Sequence, residues 1–458
     1  MSYNHDYENY NVKIPYDDIP ISRRPKANNG ARYGSSSGGS SKIEPGKFKA
    51  IVACLVMLIV VNIGLIITLV YHMSTAIKKD VSVNNIYVDA SESVAASVAA
   101  ASKAKWSSVC VAAGGSAKYE NEFFTSMRSR GAGIIYEVDE SKNAVYFVTC
   151  QHVVNGYEDS VYVMLPSQLT AQKVEVVSYS VEYDLAVLKL NRTDILDSCT
   201  KVTLANSALV AQGEPVIACG NPLSQGLKIS TGVVSAQNTF ISTEGSNGSV
   251  IETRTIQTDI AINKGNSGGG LFNAEGNFIG LIKARLTTAP VGTTQTEVLG
   301  QSFAIPGNIV AGFANNAIAN DDNKSETMTK LKYFNLGATL VHNADGGRTV
   351  FYDRDAGKMV EKYVVQVSNR PEDIIESGSF ASSILSVNDV IEKFTYTNIN
   401  GETRTVKVYN QYAFDDVIFD IKEGSSITIY FANKNAKTVE AKSSYFVEDE
   451  KWYHFVAK

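Results

Sequence analysis

Cysteine, histidine and proline are all scarce in this 458-residue chain, with 5, 5 and 10 copies. Cys54 falls inside an apolar run, leaving Cys110, Cys150, Cys199 and Cys219 elsewhere, too few to make a disulfide scaffold. Those four allow three connectivities if all of them pair, and buried free thiols are the equal alternative. No CxxC or Cys/His spacing suits zinc and the histidines are dispersed, so no metal or other cofactor is expected. A strong excess of charge is absent as well. The formal net charge of -5 gives no support for a nucleic-acid partner and says nothing against a peptide or protein substrate.

What is present is the composition of a folded protein, 44% hydrophobic and 19% charged. The length calls for two or three folded units.

Residues 50–71, AIVACLVMLIVVNIGLIITLVY, carry no ionisable side chain before the terminal tyrosine. As a helix this run would reach about 33 Å at roughly 1.5 Å per residue, the thickness of a bilayer core. It lies behind a long tail and is followed by HMSTAIKKD, so a retained transmembrane helix is expected rather than a cleaved signal. Arg32, Lys42, Lys47 and Lys49 precede it and Lys78 and Lys79 follow. That balance favours a cytoplasmic amino terminus and an extracytoplasmic remainder.

Residues 1–46, with GSSSGGSS at 34–41, lack an apolar stripe and are expected to be a disordered cytoplasmic tail. Residues 81–105 are expected to be a tether. From 106 to 313, runs such as AGIIYEV, NAVYFVTC, SVYVML, LAVLKL and NFIGLIKA alternate with Gly, Asn, Asp and Ser turns, predicting a mainly β domain. The polar stretch 314–330 marks a linker. Residues 331–446 form a second unit of strands and turns with a short helix near 413–419, and 447–458 a carboxy-terminal tail.

Three signals fall in the first β region: His152 in TCQHVV, Asp184 in YDLAVLKL and Ser267 in GNSGGG. A serine hydroxyl becomes a useful nucleophile when a histidine takes its proton, and a carboxylate fixes the histidine's tautomer. The glycines around Ser267 suit a turn that points backbone N–H groups at a developing oxyanion, with Gly265 and Ser267 as the donors.

The ordered segments RGAGIIYE, VYFVTCQHVV, YDLAVLKL, GNPLSQGLKISTGVVSAQ, IQTDIAINKGNSGGGLFNAEGNFIGLIKA and QSFAIP resemble the HtrA/Deg family of trypsin-like serine endopeptidases over residues 106–313. The resemblance implies a trypsin-like double β-barrel with the site between two six-stranded barrels. It implies His152 as general base, Asp184 as its orienting acid and Ser267 as nucleophile. Unfolded or misfolded envelope proteins are the implied substrates, and a homotrimer is a candidate assembly. Ala261 and Ile262, before the nucleophile turn, and Lys283, where the family builds a pocket wall, are candidate substrate-binding residues. The family's proline after GNSGG is Gly270 here.

Residues 331–446 resemble a divergent PDZ domain, with LGATL at 336–340 in place of the carboxylate-binding loop. That resemblance adds Leu336 and Gly337 as peptide-binding candidates, beside which a peptide would add as a strand. The competing expectation is a catalytically inactive protease-fold scaffold that binds chain termini through this last domain.

Overall fold

The computed structural model describes residues 57, 92–166, 168–191, 199–244, 250–285, 288–291, 294–297, 301–321, 332–343, 347–448 and 452–454. The expected tail 1–46, the expected span 50–71 apart from Met57, and residues 322–330 of the expected linker lie outside these. Among the described residues no helix is long and apolar enough to cross a membrane.

The β-branched runs of the first half pair into two barrels. Strands β1 (Ser108–Ala113), β2 (Ser129–Asp139), β3 (Ala144–Thr149), β4 (Val161–Met164), β5 (Gln172–Ser180) and β6 (Leu185–Asn191) run in the order β5-β4-β1-β2-β3-β6. Pairing of β5 with β6 closes this ring. The second barrel has the order β10-β11-β14-β9-β8-β7. Its strands are β7 (Pro215–Gly220), β8 (Lys228–Glu244), β9 (Val250–Thr258), β10 (Gly270–Asn273), β11 (Phe278–Arg285) and β14 (Ser302–Pro306). A hairpin of β12 (Thr288–Val291) and β13 (Thr294–Glu297) extends between β11 and β14.

Helix α1 (Glu92–Trp106) changes the expectation for residues 81–105: from Glu92 onward the chain is a helix packed on the protease core. Ala100 and Ala104, one turn apart, are buried in that core, and Lys103 Nζ donates to Asn277 Oδ1 at 2.6 Å. Two further short helices follow, α2 (Glu120–Thr125) and α3 (Gln151–Val154). Helix α4 (Gly307–Asn320) likewise runs past residue 313 into the expected linker. Its apolar positions Ile309, Val310, Phe313, Ala314 and Ala317 recur at helical spacing and bury in a core to which both barrels contribute.

A separate core of Phe334, Phe380, Phe394, Phe414, Ile427 and their neighbours organises the carboxy-terminal region. Its strands are β15 (Lys332–Phe334), β16 (Leu340–His342), β17 (Arg348–Asp353), β18 (Lys358–Tyr363), β19 (Val365–Val367), β20 (Val390–Thr397), β21 (Thr403–Lys407), β22 (Ser426–Phe431), β23 (Lys437–Glu440) and β24 (Phe446–Glu448), with helix α5 (Phe380–Ile384). The main sheet runs β16-β19-β20-β22-β23, with β21 on β20, and β17 and β18 form a separate hairpin. The last strand, β25 (Trp452–His454), leaves this region and pairs antiparallel with β5 of the first barrel, Tyr453 opposite Tyr179.

The short helix expected near 413–419 is a run of turns. Its side chains serve two cores: Phe414 and Val417 enter the carboxy-terminal one, Ile418 and Phe419 the protease one. A single helical face does not supply both. Phe419 packs edge-on against Tyr183 and Phe313, at centroid distances of 4.8 and 5.8 Å. Nearby, Arg254 of β9 is paired with Asp416, both almost fully buried.

Candidate active site

His152 occupies α3, the short helix that directly follows β3. Asp184 ends the turn into β6 and has a φ of +55°, a left-handed conformation that aspartate tolerates better than most residues. That turn delivers three bonds to one helix end. The Gln151 N–H donates to the Asp184 carbonyl at 3.1 Å, and the His152 N–H donates to Asp184 Oδ1 at 3.0 Å. The ring Nδ1 of His152 lies 3.0 and 2.9 Å from the two carboxylate oxygens. The backbone thus fixes the carboxylate before the ring meets it, and the Nδ1–H tautomer leaves Nε2 as the free acceptor.

Burial differs across the pair: Asp184 is 7% exposed, whereas the His152 side chain is half exposed at 50%. Burial pushes the Asp184 carboxyl up, but the charge and hydrogen bonds of His152 outweigh it and hold the carboxyl below its ordinary value. For His152, burial pushes down and the Asp184 carboxylate more than compensates, so the imidazole is raised.

Ser267 sits at the tip of a tight turn bound to both barrels. Its carbonyl accepts the Ala132 N–H from β2 at 2.8 Å, and the Gly268 N–H donates to Ile282 of β11 at 2.8 Å. A Cβ on Gly268 would lie 2.2 Å from the Ala132 carbonyl oxygen, so only glycine brings the turn this close to the first barrel. Ser267 Oγ donates to the Lys283 carbonyl at a long 3.4 Å. No hydrogen bond joins it to His152 among the described residues, so the structure places all three expected residues around one turn with the Ser267–His152 bond unmade.

Gly265 has a φ of +97°, and a Cβ there would lie 2.2 Å from the Asn221 carbonyl oxygen. The Asn221 N–H donates to the Gly265 carbonyl at 3.3 Å, which holds that peptide. Among the described residues the N–H groups of Gly265 and Ser267 donate to no acceptor, as an oxyanion site requires. Asn221, which sequence reasoning missed, is fully buried and ties this loop to the first barrel by donating from Nδ2 to the Gly131 carbonyl at 3.2 Å. Its place in GNP was the available signal.

The other candidates divide. Ala261 is exposed beside the turn, and Ile262 is buried in the second barrel's core. Lys283 is 4% exposed, its ammonium donating to Thr253 Oγ1 at 2.7 Å. Leu336 and Gly337 line a cavity of about 410 Å³ whose wall includes Tyr183, the residue before Asp184. The Gly337 N–H is taken by Asn335 Oδ1 at 2.9 Å, while the N–H groups of Leu336 and Ala338 donate to no acceptor among the described residues.

The family's proline position, Gly270, is closed by its neighbour: a Cβ there would meet the Phe272 ring at 2.4 Å. The four cysteines 110, 150, 199 and 219 are free thiols. Donor atoms of Cys150, His152 and Asp184 lie within 4.8 Å of one another. Burial pushes the Cys150 thiol up and its Sγ donates to the Ile282 carbonyl at 3.3 Å. Both Asp184 oxygens are engaged by His152, so a cation there would have to break that pair.

Residues 131–281 match the trypsin-like peptidase domain. The chain is 33% identical over 328 residues to the serine protease Do-like HtrA of Lactococcus lactis subsp. lactis (strain IL1403), covering 70% of this chain and 72% of that one. Against the protein of the same name from Lactococcus lactis subsp. cremoris (strain MG1363) it is 39% identical over 219 residues, 47% of this chain and about half, 49%, of that one. A probable periplasmic serine endoprotease, DegP-like, from Pseudomonas savastanoi pv. phaseolicola (strain 1448A / Race 6) is 29% identical over 265 residues, 58% of this chain and 47% of that one.

Proposed function

Because the chain belongs to the HtrA/Deg family of trypsin-like serine endopeptidases, we propose that it hydrolyses peptide bonds of unfolded or damaged envelope proteins from a membrane-anchored position. The observation that carries this reading is the threefold attachment of Asp184 to the helix end bearing His152, beside a serine turn whose N–H groups are free.

In the proposed reaction Ser267 Oγ leaves the Lys283 carbonyl by a side-chain rotation, and His152 Nε2 takes its proton as it attacks the peptide carbonyl. Asp184 keeps Nδ1–H in place and stabilises the imidazolium. The Gly265 and Ser267 N–H groups receive the oxyanion, each contributing about 3 kcal/mol in the transition state. His152 then protonates the leaving amine, and water, activated by the same imidazole, releases the acyl group. Ala261 and the Lys283 backbone form the rim where substrate would lie.

The anchor at 50–71, with the catalytic part outside, rests on the apolar run and its flanking lysines and arginines. The PDZ-like reading of 331–446 is supported by the unused N–H groups of Leu336 and Ala338, which suit a peptide carboxylate. A homotrimer belongs to the same proposal on family resemblance. The inactive-scaffold alternative is not favoured, since no side chain of the reaction is missing.

The test is digestion of reduced casein by the full-length chain in detergent, beside Ser267→Ala. Cleavage by the parent and none by the variant is the expected result; fragments produced equally by both would refute the assignment of Ser267.

A further inference from the structure

A cavity of about 1100 Å³ lies where α4 faces the carboxy-terminal region, and no triad residue lines it. Ala311 and Asn315 of α4 form part of one wall, Asp416 and Asp420 part of the other. The turns that carry these two aspartates close by helix-like backbone bonds. The Asp416 N–H donates to the Tyr412 carbonyl at 3.1 Å, and the Ile421 N–H to the Val417 carbonyl at 3.2 Å. Residues four apart in such a run share a side, which is how both carboxylates come to line one space.

Each carboxylate is half used. Asp416 Oδ1 is paired with Arg254, and Asp420 Oδ2 accepts the Tyr396 hydroxyl at 2.7 Å. The other two oxygens, Asp416 Oδ2 and Asp420 Oδ1, are buried and accept no hydrogen bond among the described residues. Asp416 as a whole is 4% exposed, so water does not reach it freely. A buried carboxylate oxygen without a donor is costly, and two on one wall call for a common partner. The cations of the cavity wall are committed elsewhere: Lys358 to Glu214, Lys407 to Asp353 and Asp355, and Arg404 to Glu402. Burial pushes the Asp420 carboxyl above its ordinary value, and Tyr396 and Asn315 pull it back only in part.

We propose that this cavity binds an organic cation whose ammonium group donates to Asp416 Oδ2 and Asp420 Oδ1 together. An ammonium carries three N–H donors, enough for both oxygens, and bonds of this kind to a carboxylate are the stronger ones. Asp416 already has Arg254, so one added positive charge serves Asp420. A divalent metal fits less well. It takes about six oxygen ligands, and among the described residues three chelating side chains converge only at Cys150, His152 and Asp184. The volume suits an elongated molecule rather than a bare ion, a polyamine or the lysine side chain of a peptide, which share this chemistry. Because the two walls belong to different regions, the occupant also bridges the junction between them.

Isothermal titration calorimetry of the full-length chain in non-ionic detergent tests this with two probes, spermidine and acetyl-Ala-Lys-Ala-amide. Saturable binding of one or both is expected, and which of them binds identifies the source of the ammonium. Asp420→Asn keeps the shape and removes the charge, so it should weaken binding about tenfold, the loss expected for one charge-assisted hydrogen bond. Glu423→Gln, three residues on and exposed, removes the same charge outside the cavity and should leave the affinity unchanged. Failure of both probes to bind would overturn the proposal, as would an equal loss in the two variants or binding of magnesium in place of either probe. Should Asp420→Asn not fold, Thr405→Trp fills the cavity from its exposed rim and leaves both carboxylates in place. Weakened binding is then expected, and an unchanged affinity overturns the proposal. No turnover is needed, so a chain that cleaves nothing would refute the proteolytic reading without touching this one.

Discussion

Phe419 and Tyr183 meet edge to face with ring centroids 4.8 Å apart, which places a residue of the carboxy-terminal region against the neighbour of Asp184. Phe419 is 1% exposed and also touches Tyr333 and Phe313. Phe419→Ala should destabilise the fold by about 3–5 kcal/mol, the usual range for emptying a buried aromatic site. It should also lower kcat by loosening the turn that presents Asp184. Thermal unfolding and a count of acylable Ser267 separate the two effects: normal kcat per acylable site would remove the coupling to Asp184.

Arg254 and Asp416 form a charged link between the regions. Arg254→Met leaves Asp416 buried without its counter-ion and should cost about 3–5 kcal/mol. Adding Asp416→Leu should recover most of that loss in the double variant, measured by urea unfolding. Two additive losses would show that the charges do not act as a pair.

Asp184→Asn retains the shape of the pair but reverses one hydrogen bond and removes the charge. A loss of about 10,000-fold in kcat is expected from the disfavoured tautomer. Because Asp184 raises His152, the variant's residual activity should keep its acid limb to lower pH than the parent's.

The same pair ties stability to pH. The depressed Asp184 contributes stability present above its unfolded value, near 3.8, and lost as pH falls through the folded value. The raised His152 contributes stability fully present below 6.5 and lost as pH rises through its folded value. Denaturation measured from about pH 5 to about pH 8 should therefore show the parent losing more stability on the alkaline side than Asp184→Asn does. Parallel curves would contradict this linkage.

Gly265→Ala is expected to lower kcat by about 100- to 1,000-fold, the loss typical of one missing oxyanion donor. The added methyl cannot occupy its place 2.2 Å from the Asn221 carbonyl oxygen, so the peptide must turn. Affinity for a substrate-like peptide aldehyde, whose adduct carries the oxyanion, should fall in parallel; unchanged affinity would argue against this donor.

The barrels were legible because β-branched runs separated by turn residues keep their period whatever they pack against. His152, Asp184 and Ser267 could be singled out because their local motifs are short and rigid. Other features depend on distant partners. Helix α1 lacks a strong apolar stripe, and Ala100 and Ala104 commit it to the core. Residues 413–419 read as a short helix, yet Phe414 and Phe419 answer to different cores. Lys283 sat beside a motif that suggested a pocket wall, and the long-range contact with Thr253 shows where its side chain goes.

β25 adds a matter of timing. The edge of β5 that leads to Tyr183 and Asp184 is covered by residues 452–454, which follow both barrels and the carboxy-terminal sheet in the chain. A chain emerging amino terminus first can assemble both barrels and still lack that edge strand until the carboxy-terminal region has followed them. The outer edge of the first barrel is thereby completed only after the carboxy-terminal region has been made.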